Sequence, residues 1–98
     1  MTIRIAINGF GRIGRSIVRA IFEQPLQDEV QVVAINELAE ARGIAHLLKY
    51  DSSHGRFATE VTLQGEQLIV GGQSIQLLHQ PDPALLPWQQ LQVDLVLE

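Results

Sequence analysis

Apolar positions along the chain change period several times, and each change marks an element. Ile3-Arg4-Ile5-Ala6-Ile7 is a short apolar run closed by Asn8-Gly9, the pattern of a buried parallel strand ending in a tight turn. From Arg12 to Phe22 the period becomes helical. Ile13, Ile17 and Ile21 recur at every fourth position with Val18 and Phe22 beside them, while Arg12, Arg15, Ser16, Arg19 and Glu23 are expected on the solvated surface. Pro25 cannot continue that helix and pushes Gln24 away from the α region. Val30 to Ile35 reads as a second strand, which completes a βαβ unit with a right-handed crossover. Leu38 to Tyr50 predicts a second helix, with Ala41, Ile44, Ala45 and Leu48 on its apolar face.

A polar loop is expected from Tyr50 to Phe57. The stretch from Glu60 to Leu78 then divides into three short β-like runs, separated by Gly65-Glu66 and Gly71-Gly72 as hairpin turns. Pro81-Asp82-Pro83 reads as a loop, Pro87-Trp88 as the opening of a helical turn, and Val93 to Leu97 as a last strand. The fold class implied is α/β: a Rossmann-type parallel sheet with an inserted antiparallel β meander. Parallel strands need helices over both faces, and two helices serve at least three candidate strands. Residues 1–98 are therefore expected to be the N-terminal part of a truncated domain, with any catalytic domain outside them.

Composition narrows the class of partner. The net charge is −4 with no basic cluster, which argues against nucleic acid. No apolar stretch approaches the roughly 20 residues that span a bilayer, so no membrane partner is expected. No signal-peptide pattern opens the chain and it contains no cysteine, which fits the cytoplasm.

Gly9-Phe10-Gly11-Arg12-Ile13-Gly14 matches G-x-G-x-x-G, a pattern that is weak in isolation. Here it follows a strand and opens an amphipathic helix inside a βαβ unit, the context that a dinucleotide fingerprint requires. Gly9 permits the turn, Gly11 lets a pyrophosphate approach the backbone, and Gly14 lets helix and strand pack closely. The backbone N–H groups of Arg12 and Ile13 are expected at the phosphates, helped by the helix dipole. The Arg12 side chain fits a phosphate partner and a solvated helix face equally well. Glu37 follows the second strand, about twenty residues beyond the last glycine, where an acid accepts hydrogen bonds from ribose hydroxyls. A carboxylate there repels a 2′-phosphate, so NAD is preferred over NADP; a helix N-terminal carboxylate is the compatible structural alternative.

Ala6-Ile7-Asn8-Gly9-Phe10-Gly11-Arg12-Ile13-Gly14-Arg15 resembles the N-terminal signature of the glyceraldehyde-3-phosphate dehydrogenase family. Tyr50-Asp51-Ser52-Ser53-His54-Gly55-Arg56-Phe57 is similar to that family's second landmark, and the resemblance extends along the whole chain. Asn36-Glu37-Leu38 departs from the Asn-Asp-Pro of the glycolytic enzyme. With His46-Leu47-Leu48-Lys49-Tyr50 and Leu86-Pro87-Trp88, it is similar to the D-erythrose-4-phosphate dehydrogenase branch.

The resemblance implies NAD-dependent oxidation of a phosphorylated aldose by a homotetramer, with the product used for pyridoxal phosphate synthesis. It implies a cofactor site at Asn8, Gly9, Phe10, Gly11, Arg12, Ile13, Gly14, Asn36, Glu37 and Pro81. At the adenine loop Gln80-Pro81 replaces the usual acid and arginine, so a contact there has to run through the backbone. The family's chemistry uses a cysteine thiolate and a histidine base. This chain has no cysteine, so no catalytic residue is assigned within it and it is expected to be inactive alone. A glyceraldehyde-3-phosphate dehydrogenase and a non-catalytic NAD-binding module remain the alternatives.

Several residues invite a sharper reading than they support. His46 has no second ligand at i+4, and no metal site is expected. His54 reads as loop scaffolding or a subunit contact, His79 as a strand end on the surface, and Trp88 as a core plug. Asp51-Ser52-Ser53-His54 holds the residue types of a hydrolase triad without its geometry.

Overall fold

A computed structural model describes residues 2–24, 26, 28–51, 55–56 and 59–97. Strand β1 (Ile3–Asn8) leads through the glycine turn into helix α1 (Arg12–Glu23), and strand β2 (Val30–Asn36) follows. β1 and β2 run parallel from Ile3↔Val30 to Asn8↔Asn36, with a register irregularity between Ile5 and Ala6. Both apolar runs therefore extend one residue further than their hydrophobicity indicates, each ending on an asparagine. Pro25 lies outside the described residues. The α1 terminus is marked instead by Gln24, whose backbone leaves the helical region while its N–H still reaches the Ala20 carbonyl.

Helix α2 (Ala41–Lys49) begins later than the expected Leu38. The cause is local. The Glu37 carboxylate accepts the Ala39 N–H at 3.1 Å, which holds residues 37–39 in a turn and leaves Leu38 exposed. After α2, Tyr50–Asp51 (β3) and Gly55–Arg56 (β4) form a small antiparallel pair inside what reads as a polar loop. Ser52, Ser53, His54 and Phe57 lie outside the described residues.

Strands β5 (Val61–Gln64), β6 (Gln67–Val70) and β7 (Gln73–Leu78) form the meander. Gly65 takes φ +61° and Gly71 and Gly72 take φ +56° and +84°, so both hairpins turn through glycine at the predicted places. The second, with two successive positive φ values, has the primed geometry that matches strand twist. The meander is continuous with the parallel sheet. Its third strand, β7, pairs parallel with β2, and β8 (Leu95–Leu97) pairs parallel with β1. The sheet order is β5-β6-β7-β2-β1-β8, a parallel core extended by an antiparallel edge.

One face of the sheet carries the larger core, in which Ile5, Ile7 and Ile35 meet Val18 and Ile21 of α1 and Ile44 and Leu48 of α2. Each fully buried aliphatic side chain there contributes about 1.5–3 kcal/mol. The opposite face is thinner: Ala6, Val33 and Ala34 are covered by partly buried Trp88, Leu91 and Val93. The Pro87–Trp88 turn exists as expected, with the Leu91 N–H donating to the Pro87 carbonyl at 3.1 Å.

Two expectations for α1 are corrected. Ile13, the first member of the apolar stripe, is 74% exposed: it sits in the opening turn and borders a cleft instead of joining the core. Arg19, expected on the surface, is 2% exposed. Its guanidinium donates to the Leu48 carbonyl at 2.8 and 3.2 Å and to the Lys49 carbonyl at 3.1 Å, capping the last turn of α2. A helix C-terminus offers unsatisfied carbonyls and a negative dipole end, which an interior cation matches.

Candidate functional site

The residues predicted to hold a dinucleotide converge at the carboxyl ends of β1, β2 and β7, where open α/β sheets place their ligands. β1 ends at Asn8, and Gly9 turns the chain with φ +90°, a conformation that disfavours any other residue. The Gly9 N–H still donates to the Asn36 carbonyl at 2.8 Å, so the turn starts from a fixed ladder position. Phe10 buries its ring in the core at 2% exposure and presents only backbone to the site.

Gly11 and Gly14 are glycines for different reasons. A Cβ built on Gly14 would lie 3.0 Å from Ile7 Cγ2 and 3.2 Å from the Gly9 carbonyl oxygen, so helix and strand need its absence. A Cβ on Gly11 would meet nothing within 4 Å, and its φ of −84° suits any residue. The protein itself does not require Gly11. The space left open belongs to a cleft of about 470 Å³ bordered by Gly9, Gly11, Arg12, Ile13 and Glu37.

The first intrahelical bond of α1 runs from the Arg15 N–H to the Gly11 carbonyl at 3.0 Å. The N–H groups of Arg12, Ile13 and Gly14 precede it and have no partner within the helix. No side chain caps this end and no acid occupies the first turn. An uncapped N-terminus with an open glycine beside it is suited to a phosphate. Arg12 is exposed, and Arg15 reaches back to the Phe10 carbonyl at 3.4 Å.

Glu37 ties the strand end to the turn. Its Oε1 accepts the Phe10 N–H at 2.8 Å, and its Oε2 accepts the Ala39 N–H. An ionised carboxylate has about four acceptor positions, so both oxygens retain capacity for hydroxyl donors. Asn36 is 6% exposed and staples the ends of β1 and β2 to the segment that follows β7. Its Nδ2 donates to Asn8 Oδ1 at 2.9 Å and to the Gln80 carbonyl at 3.0 Å, while its Oδ1 accepts the Gln80 N–H at 2.9 Å. These bonds fix the rim of a second cleft, about 270 Å³, in which Asn8, Gly9, Glu37, Leu38 and Pro81 meet. Pro81 is exposed there.

Sequence reasoning missed the surroundings of His79. It is not a bare surface residue: Nδ1 lies 2.8 Å from the Glu37 carbonyl oxygen and Nε2 2.6 Å from Glu66 Oε2. The signal was present in the hairpin. With Gln67 opposite Gln76, Glu66 stands opposite Leu77 and diagonal to His79. Leu38 was missed as well, although its exposure beside Glu37 marks it as cleft wall.

His46 is exposed on α2 with its ring 5.1 Å from that of Tyr50. Among the described residues no group of three or more His, Cys, Asp or Glu side chains is placed to hold a metal. Among the same residues no helix is long and apolar enough to cross a membrane.

An uncapped helix N-terminus, an open Gly11 and an acid bonded to the same turn form a fitting cradle for a dinucleotide. Over residues 3–98 the sequence matches the family described as glyceraldehyde 3-phosphate dehydrogenase, NAD binding domain. The chain therefore belongs to the glyceraldehyde-3-phosphate dehydrogenase family as its NAD-binding domain, and NAD is its cofactor.

Proposed function

We propose that this chain is the NAD-binding part of an NAD-dependent D-erythrose-4-phosphate dehydrogenase, which oxidises erythrose 4-phosphate to 4-phosphoerythronate for pyridoxal phosphate synthesis. The observation that carries the cofactor half is the Glu37 bond to the Phe10 N–H at 2.8 Å, which joins the ribose acid to the pyrophosphate turn. The branch rests on Asn36-Glu37-Leu38, where a longer acid is followed by leucine in place of proline. A leucine leaves a flexible apolar wall beside the acid.

In this reading the N–H groups of Arg12 and Ile13 hold the pyrophosphate, and Glu37 accepts the adenosine ribose hydroxyls. Asn8, Gly9 and Gly14 shape the turn, and Phe10 lends its peptide. Asn36 fixes the strand ends, and Pro81 borders the adenine. Bound NAD supplies a hydride acceptor. The thiolate that attacks an aldehyde has to come from outside these 98 residues, which contain no cysteine. The working protein is then a cytoplasmic homotetramer whose substrate is a phosphorylated aldose.

The full-length protein should oxidise erythrose 4-phosphate in preference to glyceraldehyde 3-phosphate with inorganic phosphate. The reverse preference would move it to the glycolytic branch. The absence of cysteine favours a second reading, a non-catalytic NAD-binding module. A gene whose reading frame stops after codon 98 would decide for that module. Glu37→Ala should relax discrimination between NAD and NADP in either case, and unchanged discrimination would remove Glu37 from the ribose site.

A further inference from the structure

His79 stands just beyond β7 and is not among the residues assigned to the cofactor, yet it touches the backbone of Glu37, read as the residue that selects NAD. Nδ1 is 2.8 Å from the Glu37 carbonyl oxygen and Nε2 is 2.6 Å from Glu66 Oε2. Both partners are acceptors. A neutral imidazole has one N–H and can satisfy one of them; the doubly protonated ring satisfies both.

The two anchors are themselves held. Glu66 sits in the β5–β6 turn, and its carbonyl accepts the Leu77 N–H at 2.8 Å, which fixes that turn against β7. The Glu37 N–H donates to the Leu78 carbonyl at 2.8 Å. Its peptide groups are thus gripped from the β7 side through N–H and carbonyl together, while its carboxylate reaches the other way to Phe10. We propose that His79, as an imidazolium between the Glu37 carbonyl and the Glu66 carboxylate, is a positioning residue for Glu37 and hence for the ribose end of NAD. The inference rests on the reading of Glu37 as the ribose acceptor.

The Glu66 charge beside the ring agrees in sign with this role. The hydrogen bond that His79 donates to Glu66 holds its pKa above the ordinary 6.5, partial burial opposes the rise, and the Glu37 and Ala39 backbone and the Glu66 charge add to it. Glu40 and Arg42, at the start of α2, border the same hollow as His79 and Glu66 and carry opposite charges. The brace is complete below pH 6.5 and is lost as pH rises through the elevated value in the folded protein. On losing its second proton the ring has to give up one contact. The carboxylate is the stronger acceptor, so Nε2 keeps the proton and the Glu37 carbonyl is released.

The experiment uses the full-length protein, with NAD and NADP affinities measured between about pH 6 and pH 9, across the imidazole range. NAD affinity should fall about three- to tenfold as the ring titrates, the loss expected for one hydrogen bond. His79→Ala should show the weaker affinity at every pH. Glu66→Gln, which keeps an acceptor for Nε2 without its charge, should lower both the midpoint of that profile and the NMR titration midpoint of His79. A His79→Ala protein that melts like the parent and binds NAD with the parental pH profile would overturn the proposal. If His79→Ala does not fold, an unmoved midpoint in Glu66→Gln overturns it instead. Glu37→Gln separates the two layers: altered NAD preference there with silent His79 and Glu66 variants defeats only the positioning role, and silence at Glu37 defeats the reading beneath it.

Discussion

Gly11 and Gly14 stand three residues apart, and a side chain added at each would do its damage for a different reason. At Gly14 a methyl group would press on Ile7 and on the rigid Gly9 carbonyl, at 3.0 and 3.2 Å. Overpacking of that kind costs about 1–3 kcal/mol, offset by up to about 1 kcal/mol of helix propensity. Gly14→Ala should therefore lower the melting temperature. Gly11→Val should cost no more than about 1 kcal/mol for the poorer N-cap residue, since its Cβ enters open space, and abolish NAD binding in the full-length protein. Calorimetry on the two variants separates the roles, and retained NAD affinity in Gly11→Val would make that glycine incidental. The sequence supplied the positions of both glycines but not this division, because the division depends on which atoms face each Cα. The family resemblance alone put Asn36 among the expected site residues. Its work as a staple was not legible, because its partners Asn8 and Gln80 lie 28 and 44 positions away.

Elements were read well wherever a single periodicity governed them. β1, α1, β2 and the glycine hairpins fall where the apolar pattern and turn residues put them. The pattern fails where a polar group has a distant partner. α2 starts late because Glu37 captures the Ala39 N–H, and Arg19 is interior because α2 ends against it. Arg19→Met should keep the bulk and remove the cap, leaving the Leu48 and Lys49 carbonyls without their donors. A loss of about 2–4 kcal/mol follows from unsatisfied buried carbonyls and a lost charged donor. Denaturant unfolding measures it; a cost below about 0.5 kcal/mol, the scale of neutral surface changes, would mean that water replaces the cap.

At the scale of the molecule, two of the most exposed apolar side chains among the described residues stand at the site. Ile13 at 74% and Leu38 at 65% exposure both line the clefts around Glu37 and the glycine turn. Apolar surface beside a few fixed polar groups is the usual lining of a cofactor site. Leu38→Ser should leave stability within about 0.5 kcal/mol, because the side chain is already in water, and should weaken NAD binding several-fold in a titration followed by fluorescence. An unchanged affinity would assign Leu38 to some other contact. A βαβ unit, a meander and a last parallel strand were legible in the sequence, but the order β7-β2-β1-β8 and the pairing of the meander with that sheet were not. Hydrophobic alternation reports which faces are buried and says nothing about which strand lies beside which.

Arg4 belongs to the first strand, yet its hydrogen bonds go to the far end of the chain. Its backbone N–H donates to Asp94 Oδ2, its carbonyl accepts the Asp94 N–H, and its guanidinium reaches the Leu91 and Gln92 carbonyls. A ribosome adds about 5–20 residues per second, so one flank of β1 waits roughly 5–20 s for β8 to be made. During that interval the nascent protein shows a bare strand edge to its surroundings. The order of synthesis, rather than the finished architecture, sets when this domain is most open to a wrong partner.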